Sequence, residues 1–159
     1  MKTQMNTGSD MNNEEDIEFL WRDFLRKDIS FAGKYFHGKA DGLDWVELLS
    51  LWPQFAHKCD WSQLNGWNWS ELLQRQPQFA GMCHWDKLDG EDWSELLQSQ
   101  PQFAGMCHWD KLDGENWSEL LCLRPLLACM CDWNKLSCED WEELLEFQPQ
   151  FAYKRTNSR

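Results

Sequence analysis

The sequence predicts an all-α fold, a right-handed solenoid of short helices made from six 24-residue repeats, each a helix, a short helix and a turn. Three observations predict it. A leading Trp recurs without a gap at Trp21, Trp45, Trp69, Trp93, Trp117 and Trp141, and a fixed period of roughly 20 to 50 residues is the mark of repeat architectures. Apolar residues follow each leading Trp three and four places on, as in Trp93, Leu96 and Leu97, which share one face of a helix. No segment alternates with period two or is rich in Val, Ile and Thr, so no strand is expected.

The elements follow in chain order. Residues 1–15 are polar and are expected to be disordered, residues 16–153 form the array, and residues 154–159 make a basic tail. The first copy is degenerate, yet Phe31, Ala32, Asp41, Gly42 and Asp44 fall in frame, and copies 69–92 and 93–116 differ only at Arg75 against Ser99 and Asp92 against Asn116. Within a copy, Asp92 before Trp93 reads as an N-cap with Glu95 closing a capping box. The same pattern pairs Asp44 with Glu47, Asn68 with Glu71, Asn116 with Glu119 and Asp140 with Glu143, so a helix is expected to start at each leading Trp. Pro101 stops that helix and suits the first position of the next one, where a missing N–H costs nothing. Phe103, Ala104 and Cys107 supply a second apolar stripe. Residues 108–112 are expected to form a tight or 3₁₀ turn, closed by Asp113-Gly114, a pair that tolerates positive φ.

Composition narrows the function classes. Twelve Trp against two Tyr reflects repetition, and 42% apolar with 26% charged residues suits a globular chain. A net charge of −12 opposes nucleic-acid binding, which draws its affinity from Lys and Arg on phosphates. No apolar run is long enough to span a membrane and the polar start has no secretory apolar core, which places the expected location in the cytoplasm. Seven Cys is an odd number, and Cys59, Cys83, Cys107 and Cys131 recur at the repeat period, as free thiols in a reducing compartment would. This column is expected to face the core beside Trp61, Trp85, Trp109 and Trp133, inaccessible to reagents. His84 and His108 follow column cysteines at a spacing unsuited to zinc, and near-identical copies do not supply the unlike residues that a catalytic pocket needs. No catalytic, cofactor-binding or metal-ligating residues are expected.

Two surface features remain. Glu47, Glu71, Glu95, Glu119 and Glu143, in line with Asp23 of the first copy, form a carboxylate ladder at the helix starts, explained by capping and the helix dipole or, as a function, by an acidic ridge that imitates a phosphate backbone. The seventh repeat position points outward and reads Lys27, Leu51, Arg75, Ser99, Leu123, Phe147, while inward columns hardly change. Variable outward positions on a fixed scaffold are how repeat proteins present a binding surface. The fifth copy adds apolar residues where others are polar, Cys122, Leu123, Leu126 and Cys129, and the sixth adds Phe147. Contiguous apolar surface of this kind marks an interface unless the tail folds back over it.

The string FAHKCDWSQLNGWNWSELL at residues 55–73 resembles bacterial proteins made of tandem Trp-rich repeats of the form CDWxxLxGxDWxxLLxxQPQFA. The resemblance covers residues 45–152 and implies a repeat architecture and a bacterial source, without specifying an activity. In length and layout the repeat is also similar to leucine-rich-repeat variant solenoids, although it has neither their sequence pattern nor an iron-sulfur cysteine cluster.

The expected function is a non-enzymatic protein-interaction scaffold that binds another protein through Leu51, Arg75, Ser99, Leu123, Leu126, Cys129 and Phe147, or a second copy of itself through the C-terminal repeats. The alternative is an acidic inhibitor that occupies a basic nucleic-acid-binding protein through Glu47, Glu71, Glu95, Glu119 and Glu143.

Overall fold

The computed structural model describes residues 40–157. Residues 1–39 lie outside, and with them the expected disordered start, most of the first copy, Asp23 and Lys27; so do residues 158–159. Five ten-residue helices follow one another, α1 Gly42–Leu51, α2 Gly66–Arg75, α3 Gly90–Ser99, α4 Gly114–Leu123 and α5 Cys138–Phe147, and each packs on the next in chain order. Between them run two 3₁₀ segments per repeat, for example Pro77–Met82 and Trp85–Lys87, then Pro101–Met106 and Trp109–Lys111. A short helix α6, Ala152–Asn157, follows the last repeat, so the expected tail is helical as far as residue 157. Among the described residues there is no strand, and the architecture is a helical solenoid.

Local chemistry sets the length of each helix. The Pro that follows has no N–H to continue the ladder and drives the residue before it out of the helical region, which leaves Gln100 at φ −127° and ψ 68°. The inward stripe is then buried whole in α2, α3 and α4, while Leu145 of α5 is half-buried. Trp69, Trp93 and Trp117 and the paired leucines Leu72, Leu73, Leu96, Leu97, Leu120 and Leu121 have no exposed surface. Each leading Trp is covered by the Trp of the preceding 3₁₀ turn, with Trp85 stacked on Trp93 at 5.4 Å between ring centres and Phe103 tilted against Trp85 at 5.5 Å. Trp61 on Trp69, Trp109 on Trp117 and Trp133 on Trp141 repeat the stack.

The helices start three residues earlier than the capping pattern predicts. The N-caps are Asp41, Asn65, Asp89, Asp113 and Ser137, while Asp44, Asn68, Asp92, Asn116 and Asp140 are the N3 partners that close each capping box. Asp92 N–H donates to Asp89 Oδ1 at 3.0 Å, and Asp89 N–H donates to Asp92 Oδ2 at 3.0 Å. The reason for the shift is tertiary. Gly42, Gly66, Gly90 and Gly114 are the first helical residues, and the next repeat packs directly over them. A Cβ on Gly90 would strike the Asn116 side chain and lie 2.6 Å from the Lys111 carbonyl; on Gly114 it would strike Asp140 and lie 2.5 Å from the Lys135 carbonyl. Glycine is therefore required for close approach and not for the positive φ expected of a turn. Cys138 holds this position in α5, on which no further repeat packs among the described residues.

Three ladders of side chains bolt the repeats from α2 onward to their neighbours, and all three end on backbone carbonyls. Lys87, Lys111 and Lys135 reach back to the preceding turn, Lys111 Nζ donating to Asp86 O at 2.7 Å and to Leu88 O, and Lys135 Nζ to Asp110 O at 2.7 Å and Leu112 O at 2.6 Å. Gln76, Gln100, Arg124 and Gln148 donate to carbonyls in the last turn of the preceding helix, those of Ser50, Gln74, Gln98 and Cys122, where a helix leaves acceptors unpaired. Buried Ser70, Ser94 and Ser118 reach forward, to the carbonyls of Asp92, Asn116 and Asp140 at 3.0 to 3.2 Å.

The N3 column alternates between acid and amide, and this has a measurable cost. Burial, first among its causes, pushes the Asp92 carboxyl up to about 6, against the pull of its hydrogen bond from Asp89 N–H. A carboxyl whose folded pKa is raised binds more protons folded than unfolded, so its contribution to stability falls as pH rises from about 4 to about 6. Asn68 and Asn116 already make the same capping bond without a charge, accepting from Asn65 N–H at 3.1 Å and Asp113 N–H at 3.2 Å. Asp92→Asn is expected to stabilise the protein at pH 7.5 by on the order of 1 kcal/mol, solvent screening included, and to have little effect near pH 4. Urea midpoints at the two pH values check this; a variant less stable at pH 7.5 would show that the charge itself supports the cap.

Candidate functional site

The helical wheel leaves the second, sixth, ninth and tenth residues of each helix outside the stack. The tenth residue is the variable one, and the structure exposes it in every described copy: Leu51, Arg75, Ser99, Leu123 and Phe147. Arg75 turns back to Glu71 in an ion pair of 2.6 Å along one helix, and Ser99 Oγ donates to Gln74 Oε1 of the neighbouring helix at 3.0 Å. Leu123 and Phe147 are 62% and 61% exposed, and Leu126, three residues past Leu123 in the segment Pro125–Cys129, is 92% exposed. The Cys129 thiol, also exposed, lies 3.7 Å from Leu126 O. Helix α6 does not fold back over them. It follows directly on Pro149–Phe151, and Lys154 Nζ lies 5.6 Å above the ring of Trp133, in the turn before α5, and 5.5 Å from the Tyr153 ring.

The carboxylate ladder is real, but its position is corrected. Glu47, Glu71, Glu95, Glu119 and Glu143 are sixth in their helices, in the second turn, so neither capping nor the helix dipole accounts for them. They act on one another across repeats. Glu95 is held above the ordinary carboxylate range by burial and then by Glu91, Glu71 and Asp89; Glu119 is raised by burial and then by Glu115, Glu143, Glu91 and Glu95. Glu143 Oε2 accepts from Ser118 Oγ of the preceding helix at 3.2 Å. Where α3 meets α4, Asp89, Glu91, Asp113, Glu115 and Glu119 line a cleft of about 400 Å³ together with Lys111, whose ammonium is committed to backbone carbonyls.

The cysteine column departs from its expected burial. Cys59, Cys83, Cys107 and Cys131 are half-buried, and so are Trp61, Trp85, Trp109 and Trp133, because the 3₁₀ layer is only one segment thick and has solvent on its far side. Burial nevertheless dominates the thiol chemistry. It pushes all four up to about 12, with Asp60, Asp86, Asp110 and Asp132 adding to the effect. At pH 7.5 a disulfide reagent should modify exposed Cys129 and Cys138 first, and the four column thiols roughly tenfold or more slowly, since the thiolate is the nucleophile. Equal rates for all the thiols would remove the packing role of the column. Among the described residues, no three His, Cys, Asp or Glu side chains come together as a metal site.

Sequence reasoning missed the Lys, Gln and Ser ladders. Their signal was present, since Lys87, Lys111 and Lys135 hold one repeat position in three consecutive copies, in a turn that should otherwise tolerate variation. No family model, no curated protein and no solved structure matches the chain.

Proposed function

We propose that the array is a non-enzymatic interaction scaffold that docks another protein, or a second copy of itself, through the outward edge of its C-terminal repeats. One observation carries this reading: Leu123 and Phe147 stand exposed at the ends of α4 and α5, with Leu126 exposed on the segment between them, and Lys135 and Gln148 bolt this pair of repeats together. A preformed surface of this kind loses little entropy on binding, which is how a rigid scaffold converts a small apolar patch into affinity. The seven free thiols support a reducing compartment, the cytoplasm, and no helix among the described residues is long and apolar enough to cross a membrane.

A second reading rests on the ladder. Glutamates of neighbouring repeats that help to hold Glu95 and Glu119 above the ordinary carboxylate range make a dense acidic ridge, the feature a mimic of a phosphate backbone would use against a basic nucleic-acid-binding protein. Salt separates the two. With native extract as the source of partners, a partner held by Leu123 and Phe147 should persist at about 0.5 M salt and weaken about tenfold or more in the Leu123→Glu, Phe147→Glu double variant. Release by salt alone, with the double variant unaffected, favours the mimic. A monomer that retains no partner under either condition removes the scaffold reading.

A further inference from the structure

We propose that the outward face of α4 and α5 receives a cationic amphipathic helix of another protein, its apolar side on Leu123, Leu126 and Phe147 and its Lys or Arg residues along Glu119 and Glu143. This rests on the scaffold reading and gives the partner a chemistry. Glu119 and Leu123 are four residues apart on α4, as Glu143 and Phe147 are on α5, so each helix presents a carboxylate beside an apolar side chain. The two helices pack side by side, which turns the pairs into two parallel rows, one acidic and one apolar. Contacts between the helices hold the rows together. Ser118 Oγ donates to Glu143 Oε2 at 3.2 Å, and the Cys122 thiol between the rows is raised first by burial and then by Glu143 and Glu119.

Among the described residues, no cation is among the groups that act on Glu119. Every influence on Glu119 pushes in one direction, burial first and then four neighbouring glutamates, and the Arg75–Glu71 ion pair that relieves the ladder lies two helices away. Cations from a partner would relieve the repulsion between Glu119 and Glu143 while its apolar side covered the leucines. A second copy of this chain, carrying the same −12 charge, would set one acidic ladder beside another. Packed helices lie about 8 to 10 Å apart, which a partner helix spans in about six or seven residues at about 1.5 Å each. The fitting partner therefore repeats an apolar anchor every two turns, with a basic stripe beside it.

The probe is a Leu/Lys amphipathic peptide of about 18 residues with heptad spacing, long enough to be helical, set against the same composition scrambled and against a Leu/Glu counterpart. Binding is read by calorimetry on the full chain. The wild type should bind the ordered Leu/Lys peptide, and both Leu123→Ser with Phe147→Ser and Glu119→Gln with Glu143→Gln should weaken it about tenfold while the array stays folded by circular dichroism, since all four side chains are exposed. Equal binding of ordered and scrambled peptides, or binding indifferent to both double variants, overturns the proposal. If the wild type instead takes the Leu/Glu peptide, or sediments as a dimer that Leu123→Glu with Phe147→Glu makes monomeric, the cationic partner is wrong and the scaffold reading stands. A monomer that takes none of the peptides overturns the cationic partner alone, and the extract experiment then decides the scaffold reading.

Discussion

Deletion of residues 93–116 is expected to give a folded, shorter array, and deletion of residues 93–104 a chain that no longer folds as one unit. The first deletion joins Asp92 to Trp117. Asp92 and Asn116 hold the same N3 position, so the capping box, the helix and the inward Trp and Leu pair are restored across the junction. The carbonyl-directed ladders are restored as well. Lys135 would find the carbonyls of Asp86 and Leu88 where Lys111 found them, because the accepting atoms belong to the backbone. In a repeat protein each unit meets only its neighbours, so the loss is one unit and one interface. The shorter deletion removes Trp93, Leu96 and Leu97, all fully buried, and joins a helix start directly to a 3₁₀ segment. Removing one such side chain costs about 3 to 5 kcal/mol, and removing three is more than a small domain can bear. Circular dichroism with thermal melting checks both. Equal unfolding of the two shortened chains would mean that stability is not modular.

Gly90→Val is the single substitution expected to do most damage. Its side chain would enter the space held by Asn116 and by the Lys111 carbonyl, and backbone atoms cannot move aside as a flexible side chain can. The array would have to open between α3 and α4, breaking the Lys111 and Ser94 bonds there, at about 3 kcal/mol or more. Gly105→Ala is the matched control, since a Cβ there meets nothing within 4 Å. It is expected to be neutral or slightly stabilising through lower entropy of the unfolded chain. Unfolding free energies of the two variants, read from urea curves, should therefore differ by several kcal/mol. A Gly90→Val protein as stable as wild type would show that the helix starts are not in close contact.

The period, the helices and the inward stripe were legible because Trp93, Leu96 and Leu97 carry helical spacing and nothing else in the repeat competes with it. The helix start was not. Asp89, Asp92 and Glu95 are spaced three apart, so two overlapping capping boxes can be read from one string, and the choice between them is made by the next repeat pressing on Gly90. A contact 26 residues away in sequence leaves no local trace. The cysteine column misled for a related reason: the spacing of Phe103, Ala104 and Cys107 gives a face but not the thickness of the layer behind it. Of the candidate surface, the exposure of Leu123, Leu126 and Phe147 followed from the helical wheel. The crowding of the carboxylates did not, since it depends on how closely α3, α4 and α5 pack.

The indole stacks give the protein an optical identity. Trp61 on Trp69, Trp85 on Trp93, Trp109 on Trp117 and Trp133 on Trp141 share ring separations of 5.3 to 5.4 Å and interplanar angles of 12 to 16°. Chromophores this close couple their transitions, so each pair adds its own contribution to the far-ultraviolet dichroism. Helix content read from 222 nm alone will therefore be misjudged for this chain. The same coupling reports unfolding without a label, and it can do so stack by stack if one Trp at a time is exchanged for Phe.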